Sequence, residues 1–233
     1  MNTNDKKLTQ LLIVGVTPYF LDKEVFWFEE NLHKILVARH SQSFFEDNII
    51  FLQKDNSYQF SQFLRKLDEM GYERAFKISE PGEFSQHGGI IDVFPINTLH
   101  AMRIDFLGNK VDSIKIIDLE KKFYPPEFFE EKFRRTKEIL KKKLKSQKLF
   151  SELKGLKSGD YLVHLDHGIG KFIGAENNYY ILKYAQGDKL YVPIGLERKL
   201  SRYVGFQEPK ISRLGSLLWQ KTKRKVKEEV EKL

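Results

Sequence analysis

Residues 159–205 read GDYLVHLDHGIGKFIGAENNYYILKYAQGDKLYVPIGLERKLSRYVG. Apolar and polar residues alternate there in short runs, interrupted by Gly159-Asp160, Gly168-Ile169-Gly170 and Gln186-Gly187-Asp188. Alternation with period two marks half-buried strands, and the interruptions carry turn residues, so the stretch predicts hairpins closing into a small barrel. Gly168, Gly170 and Gly187 are expected to serve positive φ or close backbone approach. Tyr179, Tyr180, Tyr184 and Tyr191 fall on these strands. Strands with open edges accept a partner's strand, and tyrosine is enriched in protein interfaces.

The charge pattern outside the barrel points the same way, towards binding. Forty Lys and Arg against 32 Asp and Glu give a net charge of +8, which favours polyanionic partners. The excess concentrates in Lys141, Lys142, Lys143 and Lys145 and again from Lys221 to Lys227. Such runs are most simply solvated helix faces, with duplex DNA contact through Lys141, Lys142, Lys143, Lys145, Lys223 and Arg224 as the functional alternative. With no cysteine there is no disulfide framework or thiol nucleophile. No apolar run approaches the ~20 residues that cross a bilayer. A cytoplasmic protein without membrane contact is expected.

Upstream of the barrel, Leu11 to Val16 suits a buried strand, and Glu24 to Val37 carries one helical stripe through Phe28, Leu32, Ile35 and Leu36. Phe60, Phe63, Leu64, Leu67 and Met70 recur at helical spacing, and Gly71 supplies the C-terminal cap. Extended runs follow over Arg74–Ile78, Gly89–Phe94, Arg103–Leu107 and Val111–Ile117, the last two meeting at a tight Gly108-Asn109 turn. One helix on a largely antiparallel sheet results. Pro125-Pro126 then stops this domain. Phe129, Phe133, Leu140 and Leu144 form the apolar side of a basic amphipathic helix, and after Pro209 a last helix carries Trp219, Thr222, Val226, Val230 and Leu233 on one side.

Catalytic chemistry is not legible. Gly170-Lys171 has Leu165 where a phosphate-cradling loop needs its first glycine and Phe172 where it needs a hydroxyl. His164, Asp166 and His167 sit in a strand-to-turn context, and bracing that turn explains them better than a metal. His87 has no nucleophile to activate, and Glu80 and Glu83 flank a Pro-Gly turn. Neither cofactor nor metal is expected.

HLDHGIGKF (164–172), YILKYAQGDKLYVP (180–193), SRYVG (201–205) and PKISRLGSLLWQKTKRKVK (209–227) resemble the RNA-polymerase-interacting domain of the bacterial transcription-repair coupling factor, a module shared with CarD-type regulators. Glu80-Pro81-Gly82-Glu83-Phe84, Gly88 to Pro95 and Arg103 to Phe106, after the helix ending in DEMGYER, resemble the UvrB-like module that docks onto UvrA in the same family. The first resemblance implies the RNA polymerase β subunit as partner, with Glu176, Tyr179, Tyr180, Leu182, Tyr184 and Tyr191 as candidate contacts. Its hairpin is shortened here to Asn177-Asn178. The second implies UvrA, contacted by two arginines and a phenylalanine whose positions hold His87, Arg103 and Leu107. Only Arg103 is retained, and a mostly neutral imidazole does not copy a guanidinium fork.

The expected class is α+β: a poorly specified segment 1–56, a small antiparallel UvrB-like domain 57–120, a basic helical linker 121–156, a Tudor-like, CarD-like barrel 157–206 and a helix 207–233. The expected function is non-catalytic binding in transcription-coupled nucleotide excision repair, with the two halves on either side of residues 125–157 folding independently. Two alternatives stand beside it. One is a CarD-type regulator whose basic helices touch promoter DNA. The other is a truncated or split-gene part of the ATP-dependent DNA translocase, partnered by a separately encoded motor subunit.

Overall fold

The computed structural model describes residues 7–119, 126–146, 153, 155–215, 219 and 221–224. The chain forms two compact units, Met1–His33 with Asp47–Lys148, and Lys34–Glu46 with Leu149–Leu233. Among the described residues no helix is long and apolar enough to cross a membrane.

The first unit opens with β1 (Lys7–Leu8), β2 (Gln10–Val14), α1 (Pro18–Leu21) and α2 (Val25–Glu30). The helical run expected over Glu24–Val37 is two helices, because Asn31 leaves helical geometry and ends α2; α3 (Leu32–Ala38) starts afresh. After α4 (Ser43–Asn48), β3 (Ile49–Gln53) pairs antiparallel with β2. Residues 7–56, with little sequence definition, thus include an ordered two-stranded layer joined through four helices, with Ile13, Val14, Ile50 and Leu52 all buried.

Helix α5 (Phe60–Glu69) buries Phe63 and Leu67 and ends as its sequence predicts. Gly71 takes φ +85°, its N–H reaches Asp68 O at 3.0 Å, and Tyr72 N–H reaches Leu67 O at 3.1 Å. Those two bonds satisfy carbonyls that the helix leaves orphaned. The sheet then runs through β4 (Glu73–Arg74), β5 (Glu83–His87), β6 (Ile90–Val93), β7 (Ala101–Leu107) and β8 (Lys110–Ile117) in the order β1-β8-β7-β6-β5-β4, antiparallel except at β4–β5. Gly108, at φ +63°, makes the two-residue turn between β7 and β8. Of the extended run expected over Arg74–Ile78, only Arg74 lies in a strand, and the Ala75 N–H adds one bond to Phe84 O at 2.8 Å. Strand β5 was hidden in the sequence by Pro81-Gly82 just before it. Glu83 serves the turn: its Oε2 accepts the Ser79 and Glu80 N–H groups at 2.7 and 3.1 Å.

The basic connector is α6 (Pro126–Ser146), and it is packed within this unit. Phe133, Thr136 and Lys137 are buried. Lys137 Nζ donates to Lys23 O and lies 5.5 Å over the Phe133 ring, and burial pushes its pKa down. Pro125, the side chains of Phe129 and Lys145, and Val226, Val230 and Leu233 of the last stripe lie outside the described residues.

The second unit is a five-stranded antiparallel sheet in the order β12-β11-β10-β9-β13, made of β9 (Tyr161–His164), β10 (Gly168–Glu176), β11 (Tyr179–Lys183), β12 (Lys189–Pro193) and β13 (Leu200–Arg202). Leu162, Phe172, Leu182, Tyr184, Val192 and Leu200 meet with Leu153 in one core. Asn177 and Asn178, at φ +49° and +66°, close the β10–β11 hairpin as a two-residue turn with positive φ at both positions. A Cβ on Gly170 would stand 3.0 Å from the Tyr184 ring, so the glycine is there for close approach.

Residues 34–46 belong to this unit, which alters the expectation of two halves folding independently on either side of residues 125–157. Phe45, fully buried, stacks on Phe206 at 5.5 Å, and Ser43 Oγ accepts from Arg202 at 2.8 Å. At the other end, Trp219 packs on the Gly168 turn and its Nε1 donates to Leu165 O at 3.0 Å. Gly168 combines φ +78° with a Cβ position 2.5 Å from Ser212 Oγ and 3.0 Å from the Trp219 ring. Gly168→Ala is therefore expected to cost about 1–3 kcal/mol. It should shift Trp219 fluorescence to the red in a Trp27→Phe background; an unchanged spectrum and midpoint would refute the packing argument.

Candidate protein-interaction surfaces

Strand alternation sorts the barrel residues into two sets. Leu182 and Tyr184 point into the core and are fully buried, so they are removed from the expected contact set: a partner reaches them only by unfolding the barrel. Tyr180 is half-buried, its ring 6.3 Å from Phe172, and burial together with the Glu197 carboxylate raises its pKa. Tyr179 and Tyr191 point outwards, 40% and 53% exposed, with ring centroids 6.3 Å apart in an edge-to-face pair. Glu176 is exposed at the mouth of the Asn177-Asn178 turn. Tyr191 lies on β12, the border strand, which pairs only with β11 among the described residues. Ile194, exposed directly after β12, extends this apolar border. The sequence reading missed it, although an isoleucine between Pro193 and Gly195, in a turn, was the available signal.

The histidine cluster is structural in its contacts. His164 is buried at the end of β9, its Nδ1 accepts the Asp166 N–H at 3.0 Å, and its ring lies 4.7 Å from that of His167. Burial, with the neighbouring His167 charge second, pushes the His164 pKa down to about 4. Asp166 is turned to Lys199 at 3.0 Å, and that ammonium lowers its pKa. No group of three metal-ligating side chains occurs among the described residues.

In the first unit, Phe84, Ile91, Val93, Met102 and Ile104 face the core, so the alternate positions form the opposite face. One cross-strand row there runs Ser85–Asp92–Arg103–Lys115 and the next runs His87–Ile90–Asp105–Ser113. Arg103 holds Asp92 through two bonds of 2.7 and 2.8 Å, a bidentate fork. Asp105 receives Lys115 at 3.0 Å and the Ser113 hydroxyl, which hold its carboxyl below the usual range against the opposing effect of burial. His87 is exposed at the end of β5, and Leu107, 74% exposed, lies beyond the bulge at Asp105/Phe106. The three candidate positions thus share one face, with His87 and Leu107 towards the Gly88-Gly89 and Gly108-Asn109 turns and Arg103 one row further in.

Two of the expected nucleic-acid lysines are paired. Lys141 pairs with Asp22 at 3.0 Å and Glu138 at 2.8 Å, and Lys143 pairs with Glu73. Lys142, Lys223 and Arg224 are exposed.

Taken with their folds, these two units resemble a class of α+β proteins that join a UvrB interaction domain to a CarD-like domain. Residues 50–124 match the family model of the UvrB interaction domain, and residues 156–204 match that of the CarD-like/TRCF RID domain. The particular resemblance is to transcription-repair-coupling factors. The chain is 37% identical over 110 residues to that of Bacillus subtilis, covering 41% of this chain and 9% of the relative. It is 31% identical over 146 residues to that of Rickettsia prowazekii, covering 56% and 13%. A Staphylococcus aureus relative is 36% identical over 107 residues, covering 39% and 9%. The chain therefore spans about a tenth of the length of these relatives, and the similarity lies in their interaction domains.

Proposed function

We propose that this protein acts by binding, without a catalytic site of its own, in transcription-coupled nucleotide excision repair. The barrel engages the RNA polymerase β subunit by presenting the β12 border to it, and the exposed end of the N-terminal sheet, with His87 and Leu107, engages UvrA. The observation that carries the reading is the border itself: an outer strand flanked by the exposed Tyr179–Tyr191 pair and Ile194. Such a border offers main-chain hydrogen bonds to an added strand and aromatic anchors beside it. Contact with duplex DNA would fall to Lys142, Lys223 and Arg224, which are exposed.

Capture of the polymerase β lobe on immobilised protein tests the barrel directly. Tyr191→Asp is expected to weaken retention at least ~10-fold, as for an interface anchor, while leaving the urea midpoint unchanged because the side chain is exposed. Equal retention of the variant and the wild type would end the border reading.

A further inference from the structure

We propose that Phe76 is the anchor of the protein-docking face on the N-terminal sheet, and that its partner presents an apolar pocket rimmed by carboxylates. The inference deepens, and rests on, the reading that this face meets UvrA.

Phe76 is 92% exposed, just after β4, with its ring edge-to-face against His87 at 6.1 Å. It does not stand alone. His87 is the cross-strand partner of Ile90, which is 38% exposed, and the Phe106 N–H bonds Gly89 O at 2.8 Å, which brings Leu107 beside the Gly88-Gly89 turn. Phe76, Ile90 and Leu107 therefore crowd one end of the sheet, across strands spaced ~4.8 Å apart. Single exposed apolar side chains are ordinary on a protein surface, whereas a contiguous group signals an interaction site.

Charge supplies the partner's character. Arg74 and Lys77 bracket Phe76 in sequence and are exposed, and neither forms an ion pair among the described residues; Arg74 bonds the Gln86 side-chain oxygen at 2.8 Å. The carboxylates of this face are already neutralised, Asp92 by Arg103 and Asp105 by Lys115. What remains is an aromatic centre with a surplus of positive charge, which complements an apolar pocket edged by Asp or Glu. A single-stranded nucleic acid also likes an aromatic ring beside cations. Ile90 and Leu107 beside it are aliphatic and give bases no stacking surface, so the protein partner is favoured.

The test measures binding of the full chain to UvrA by biolayer interferometry, with a fluorescein-labelled oligothymidine as the nucleic-acid probe. Phe76→Ala and Lys77→Glu are each expected to weaken UvrA binding ~10-fold or more, with unfolding midpoints equal to wild type. If wild type binds UvrA, Leu107→Ser weakens that binding and Phe76→Ala does not, the anchor role is overturned while the UvrA reading stands. Absence of wild-type binding overturns both. Loss of oligothymidine affinity in Phe76→Ala with UvrA binding intact makes the surface a nucleic-acid platform and overturns the proposal.

Discussion

Arg202→Ala is expected to lower the stability of the barrel unit by about 3–5 kcal/mol, the cost of leaving a buried charge without its partner. Arg202 ends β13 almost fully enclosed, and its guanidinium reaches Asp160 Oδ2 at 3.1 Å, Ser43 Oγ at 2.8 Å and Gly155 O at 3.3 Å. One guanidinium nitrogen, Nη2, thus ties the strand, the loop before β9 and the 34–46 segment together. Without it, the bond left to the Asp160 carboxylate among the described residues is the Lys157 N–H at 2.8 Å. Arg202→Lys should recover less than half the loss, because the lysine side chain is shorter and its compact ammonium is more strongly hydrated than a guanidinium. Pairing Arg202→Met with Asp160→Asn should cost less than Arg202→Ala alone, since no charge is then stranded. Trp219 belongs to this unit and Trp27 to the other. Urea unfolding followed by Trp219 in a Trp27→Phe background therefore reads the loss locally. A shift below ~1 kcal/mol, the scale of a surface pair, would mean that the cluster is solvated and the clasp absent.

Acid should destabilise the same unit through His164. Its folded pKa is about 4 against 6.5 for the free side chain, so the unfolded chain takes up the proton first as pH falls. Stability from this residue is whole above about pH 6.5, declines between 6.5 and 4, and is fully lost below 4. Discounted for solvent screening near the barrel surface, the loss is on the order of 2 kcal/mol. His164→Asn keeps an acceptor for the Asp166 N–H and removes the titration. The stability difference between wild type and His164→Asn should therefore move with pH across that window, and a difference independent of pH would show that the imidazole is not held neutral by burial.

Much of the architecture was legible because its signals are local. The Gly71 cap, the Gly108-Asn109 and Asn177-Asn178 turns and the Phe63–Leu67 stripe each depend on residues within one or two turns of chain. What escaped depends on neighbours distant in sequence. A continuous apolar period hid the break at Asn31, and a Pro-Gly pair hid β5. Alternation alone ranked Tyr184 with Tyr191, though one fills the core and the other the border. The connector was expected to be a basic amphipathic helix with its lysines opposite the apolar stripe, but α6 turns Lys137 inwards towards the Lys23 carbonyl.

The amino-acid sequence by itself determined the two modules, their strands and turns, and the resemblance that points to polymerase and repair partners, because period, glycine placement and motif order are properties of short stretches. Only the tertiary structure decided which tyrosines a partner can touch, that residues 34–46 complete the barrel unit, and that Phe76, Ile90 and Leu107 gather at one end of a sheet. Burial and charge pairing arise between segments up to 159 residues apart, as for Arg202 and Ser43, and no local pattern encodes them.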